Sequence, residues 1–107
     1  MQRLAMVIRV RPEKLEEYRQ LHAQPWPEIL AALSRANVRN YSIFLRDDTL
    51  FGYMEYHGDD YAADMARVAE DPATQRWWAL TDPCQERWPG AVEGEWWSSM
   101  EEVFHMD

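Results

Sequence analysis

The sequence of 107 residues holds one cysteine, Cys84, so no internal disulfide can form and an oxidising compartment gains no support. Basic residues are scarce: eleven Lys and Arg stand against nineteen Asp and Glu, a net charge of −8. A chain of that sign is poorly suited to gripping phosphate backbones or anionic lipid, so neither a nucleic acid nor a membrane is expected as partner. No apolar run approaches the roughly 20 residues of a membrane span. The N-terminal MQRLAMVIRV carries two arginines and lacks a signal-peptide core. GxGxxG, P-loop and GxSxG signatures are missing, as is any Cys/His cluster at zinc spacing. His22, His57 and His105 lie far apart, so no metal site and no cofactor is signalled. Repeats, low-complexity tracts and linkers are missing too. A cytoplasmic chain with a single domain over residues 1–107 is the expectation.

What is present is a core-forming, aromatic-rich pattern, with six Trp and five Tyr. A chain of this length buries roughly two thirds of its unfolded surface, enough for a core without staples. Arg3 to Val10 alternates Leu4, Met6, Ile8 and Val10 on one face with Ala5, Val7 and Arg9 on the other, a strand. Arg11-Pro12-Glu13 leads into a helix through KLEEYRQLH, which Pro25 and Pro27 interrupt. A second helical piece begins near Pro27 and runs through EILAALSRA. Tyr41 to Leu45 and Thr49 to Tyr56 form a hairpin about Arg46-Asp47-Asp48. Helices follow from about Tyr61 to Ala69, and from Asp71-Pro72 through Leu80. Pro89 to Gly94 is loop, and Glu101 to Met106 is the expected closing strand. The order βαββαβ predicts an α+β, ferredoxin-like subunit: four antiparallel strands with helices on one face. The other face, left open, predicts a homodimer packed sheet against sheet.

Tyr18 and His22 stand one helical turn apart and share a face with Leu15. Imidazole both gives and takes protons near neutral pH, and a phenol beside it can donate or accept a hydrogen bond. The same spacing also fits a helix that merely packs a histidine inward. Trp77 and Trp78, adjacent on a helix, point about 100° apart. One can anchor the core while the other lines a cavity edge, where an indole face suits a sugar ring; both also fit core or interface packing. Trp96-Trp97 reads as interface or edge packing, Tyr41 as a strand aromatic and Cys84 as a half-buried inert thiol.

Taken in order, these segments resemble the L-rhamnose mutarotase family. The resemblance rests on Tyr18-x-x-x-His22, Trp26-Pro27-Glu28, Asn40-Tyr41-Ser42-Ile43, Trp77-Trp78 and the closing Glu102-Val103-Phe104-His105. It spans nearly the whole chain. It implies a dimeric α/β barrel built from ferredoxin-like subunits, and metal-free interconversion of the α and β anomers of L-rhamnose. It places His22 at the family's proton-donor position and Tyr18, Tyr41, Trp77 and Trp78 at its sugar-contacting positions. The expected chemistry has protonated His22 serving the ring oxygen. A second group, Tyr18, Glu55, His105 or a water, takes the proton of the anomeric hydroxyl. Alternatives are a mutarotase for a related deoxysugar such as L-fucose, a cofactor-free monooxygenase of the same fold, a non-catalytic sugar-binding module of that barrel type, and a plain interaction domain.

Overall fold

A computed structural model of the chain describes residues 1–107. Strand β1 (Gln2–Val10) is followed by a 3-10 turn (Pro12–Lys14) and two helices, α1 (Leu15–Ala23) and α2 (Pro27–Arg35). The hairpin of β2 (Val38–Arg46) and β3 (Thr49–Tyr56) comes next, then α3 (Tyr61–Glu70) and α4 (Pro72–Thr81). A second 3-10 turn (Asp82–Cys84) leads to two short strands, β4 (Gln85–Glu86) and β5 (Ser98–Met100).

Local chemistry explains these boundaries. Pro27 and Pro72 open their helices in the first turn, where the missing N–H costs nothing. Asp60 caps α3 by accepting from the Ala63 amide at 3.1 Å, and Asp71 caps α4 by accepting from Ala73 at 2.8 Å. The hairpin turn is tight because Asp47 takes a left-handed φ of 54°, a conformation that a short polar side chain tolerates.

The sheet is antiparallel in the order β2-β3-β1, with β4 and β5 both on the outer edge of β1. β4 pairs with Arg9 and Val10, and β5 pairs with Ala5 to Val7. The expected fourth strand is therefore present in two pieces, separated by residues 87–97. The expected strand over Glu101–Met106 is not formed, a correction: the β5 ladder stops at Met100, and residues 101–107 are exposed. Val103, Phe104 and Met106 are apolar side chains suited to a strand, but within one subunit they find no apolar surface to pack on; Val103 is 87% exposed.

Helices cover the face carrying Leu4, Met6, Ile8 and Val10. Ile8, Val10, Leu50, Tyr18 and Cys84 form one buried cluster, with Leu15, Ile43, Leu45 and Trp97 packed on it. Ile29, Ala73 and Trp77 form a second between α2 and α4, flanked by Leu21, Trp26 and Leu33. Each large apolar side chain so buried contributes roughly 1.5–3 kcal/mol. Under α3 the buried Asp64 carboxylate accepts from the Tyr56 hydroxyl at 2.5 Å and from Asn37 Nδ2 at 3.1 Å, and pairs with Arg67. These partners offset the cost of a buried charge.

Candidate active site

His22 lies near the end of α1, one turn beyond Tyr18, and the two rings stack at 4.1 Å between centroids and 24° between planes. His22 Nδ1 is 2.9 Å from the Tyr18 carbonyl oxygen. A carbonyl only accepts, so Nδ1 carries a proton. Nε2 has no protein partner and, in the neutral ring, presents its lone pair. Burial lowers the His22 pKa below 6.5, partly opposed by that backbone bond, which favours the charged ring. At neutral pH the imidazole is therefore predominantly uncharged. Trp77, from α4, meets it edge-on at 5.3 Å, and Trp26 meets Trp77 in the same manner at 5.2 Å.

Tyr18 is nearly fully buried, with its hydroxyl oxygen accepting from Gln85 Nε2 at 3.3 Å. Burial drives its pKa well above the usual 10; the Gln85 contact opposes this, and the Tyr41 phenol adds to it. Tyr41 is likewise pushed up to about 12, by burial of its hydroxyl first and by Tyr61 second. Both phenols stay protonated at neutral pH and act through hydrogen bonds.

Tyr41 faces this region because of a bulge. Registers run Arg39 with Glu55 and then Ser42 with Tyr53, so Asn40 and Tyr41 together oppose Met54. Asn40 takes a left-handed φ of 49°, and its amide donates to Glu55 Oε1 at 2.7 Å. The phase shift puts Tyr41 on the same face as Ile43 and Leu45, the helix side of the sheet.

Between α1 and that side of the sheet lies a cavity of about 240 Å³. Tyr18, Arg19, His22 and Ala23 line it from α1, and Ile43, Leu45 and Leu50 from the sheet. It is smaller than the roughly 300–1,000 Å³ of sites for drug-sized ligands, a scale suited to one small polar ring. A similar cavity between α2 and α3 carries Arg35 and Arg67, but Asp71 and Asp64 already pair with them.

Of the five predicted site residues, Tyr18 and His22 line the cavity, Trp77 backs the imidazole and Tyr41 shares the sheet face. Trp78 is 40% exposed and makes no ring contact with the others. The cavity is on the helix-covered side of the sheet, away from the open face. Glu55 and His105, the other side chains named as candidate proton acceptors, do not line this cavity. Glu55 alternates to the open face, where Asn40 and then Tyr53 hold its carboxyl below its usual range by hydrogen bonding. His105 sits on the exposed terminal segment beside Asp107. Sequence reading missed Gln85 and Trp96, which reach Tyr18 through tertiary packing with no local motif.

A family model described as L-rhamnose mutarotase matches residues 3–106. Similar curated proteins include the L-rhamnose mutarotases of Oceanobacillus iheyensis, 34% identical, and of Bacillus subtilis, 33% identical, each aligned over the whole of both chains. Among solved structures, an L-rhamnose mutarotase from Formosa agariphila matches with a TM-score of 0.77 and 25% identity over all of both chains. The tetracenomycin F2 cyclase of Streptomyces glaucescens, a type-II polyketide cyclase, matches with a TM-score of 0.73 over all of this chain and 98% of the other; at 18% identity that likeness is one of fold.

Proposed function

The chain belongs to the L-rhamnose mutarotase family, and from that membership we infer that it interconverts the α and β anomers of L-rhamnose, as a carbohydrate isomerase. The reaction opens a hemiacetal and recloses it on the other face. The anomeric hydroxyl loses a proton and the ring oxygen gains one. No net oxidation occurs, and the reaction already proceeds slowly in water, so general acid–base help of roughly 10²- to 10⁴-fold is a sufficient contribution from the protein.

Neutral His22 takes the anomeric proton on Nε2 as the bond from C1 to the ring oxygen breaks. The imidazolium so formed delivers that proton to the departing oxygen, a neighbour on the same carbon. The aldehyde turns about its C1–C2 bond, and closure retraces the steps. Tyr18 and Tyr41, as neutral phenols, hold sugar oxygens. Trp77 fixes the imidazole plane, and Trp78 offers an indole face at the mouth. The observation carrying this reading is the Nδ1 bond to the Tyr18 carbonyl, which leaves Nε2 as the reactive nitrogen of a cavity-lining imidazole.

The open sheet face is assigned to a second copy of the chain, giving a homodimeric α/β barrel. It carries Phe44, 60% exposed, with Phe51 packed beside it at 6.3 Å, and Met100. The apolar tail of Val103 and Phe104 extends from the same sheet. A buried free thiol at Cys84 suits a reducing, cytoplasmic setting.

Anomer exchange followed by saturation-transfer NMR across L-rhamnose, L-fucose and common aldoses tests the function. Selective acceleration of L-rhamnose supports it. Preference for L-fucose reassigns the sugar, and binding without acceleration makes the chain a sugar-binding module.

A further inference from the structure

Residues 87–97, the insertion that splits the last strand, have a place in this chemistry. Trp96 Nε1 donates to Gln85 Oε1 at 2.6 Å, and Gln85 Nε2 donates to the Tyr18 hydroxyl at 3.3 Å. An indole N–H is a donor only, so the Gln85 carbonyl oxygen must face Trp96 and its amide nitrogen must face Tyr18. Gln85 is buried, which leaves water little access as a substitute partner. The Tyr18 oxygen already accepts one bond, its own O–H has no protein acceptor, and Tyr18 is among the residues lining the cavity.

The loop is held so that this arrangement persists. Arg87 donates from Nη2 to the Val92 carbonyl at 2.7 Å and from Nε to the Glu95 carbonyl at 3.0 Å. Left-handed Gly90 and Gly94 make its two turns. Trp97 then packs on the cluster around Ile8 and Tyr18, fixing its neighbour Trp96.

We propose that Trp96 and Gln85 are positioning residues that lock Tyr18 as a hydrogen-bond donor toward a sugar oxygen, so that the site selects substrates presenting a lone pair there. This rests on the reading of Tyr18 as a sugar contact. It also excludes Tyr18 as the group that takes the anomeric proton, since its hydroxyl is committed to donating.

Four variants test it: Trp96→Phe, which keeps a ring and removes the N–H; Gln85→Glu, which offers only acceptors once ionised; Tyr18→Phe; and Tyr18→Phe combined with Trp96→Phe. Each is assayed for kcat and KM of L-rhamnose anomer exchange, with a melting curve alongside. Trp96→Phe should raise KM by about 2- to 10-fold, the worth of one neutral hydrogen bond, with kcat nearly unchanged. Gln85→Glu should raise KM further, because its carboxylate draws the Tyr18 proton away from the sugar. Its charge should also move the acid limb of the pH profile upward by favouring protonated His22. In the Tyr18→Phe background, Trp96→Phe should change KM no further, because its effect runs through the missing hydroxyl. An unchanged KM in Trp96→Phe, or equal effects of Trp96→Phe with and without Tyr18, overturns the proposal while an active wild type leaves the functional reading standing. If Gln85→Glu does not fold, the Trp96 and Tyr18 variants decide the matter alone. A wild-type chain that accelerates no sugar's anomer exchange overturns both.

Discussion

The imidazole of His22 and the carbonyl of Tyr18, four residues earlier on the same helix, are joined through Nδ1 at 2.9 Å. The Tyr18 carbonyl lies inside α1, and the second lone pair of its oxygen, beyond the one a helical amide takes, accepts this bond. The bond fixes the tautomer and the ring plane in one contact, and the Tyr18 ring stacked on the imidazole limits tilting.

A pH dependence follows from the lowered His22 pKa. If neutral Nε2 starts the reaction, kcat/KM is flat from neutral pH upward and falls as pH drops through a value under 6.5, tenfold per unit at the limit. Tyr41 adds no alkaline limb near neutrality, since its phenol titrates only at about 12. Exchange rates between about pH 5 and pH 8, the range in which an imidazole changes charge, supply the profile. A rate that instead declines above pH 6.5 shows that the resting donor is the protonated ring.

The two adjacent indoles should separate by readout. Trp77 is buried against His22 and Trp26, so Trp77→Ala should lower stability by about 3–5 kcal/mol, the usual cost of deleting a large core aromatic. Trp78→Ala should leave the melting temperature almost unmoved and raise KM for the sugar. Melting curves and kinetics on both variants check this; equal destabilisation contradicts the assignment of Trp78 to the mouth of the site.

Asn40 should matter through its backbone. A β-branched residue at φ 49° is strained by about 1–2 kcal/mol, and the register that turns Tyr41 inward depends on that conformation. Asn40→Val should lower the melting temperature and raise KM together. Asn40→Gly should preserve the bulge and keep KM close to the wild-type value. A KM unchanged in Asn40→Val removes Tyr41 from the sugar's contacts.

Removal of residues 101–107 tests the homodimer. Loss of the exposed Val103 and Phe104 should weaken self-association measured by sedimentation, with the subunit's secondary structure retained, since no strand ladder involves those residues. Dimers equally tight without the segment place the interface elsewhere.

Much of this architecture is legible along the chain because its signals are local. Thr49–Tyr56 is rich in strand-forming side chains and bounded by the polar turn at Asp47-Asp48 and by Gly58, and Pro27, Asp60, Asp71 and Pro72 mark helix starts through capping chemistry. Tyr18 and His22 share a face by helical spacing alone. What could not be read is what depends on partners distant in sequence. The amide of Gln85 gains meaning only when Trp96 and Tyr18 arrive on either side, and the facing of Tyr41 hangs on one left-handed residue that shifts the alternation. The same limit misplaced the last strand: Val103 and Phe104 have strand-forming side chains, but the β1 ladder is occupied by Ser98–Met100.

Anomer exchange of L-rhamnose with the His22→Ala variant is the most direct measurement. With folding verified by a melting curve, the imidazole's removal should lower the catalysed exchange rate by about 10²- to 10⁴-fold, toward the rate in buffer. His22→Ala exchanging anomers as fast as the wild type would contradict the assignment of the proton transfer to that ring.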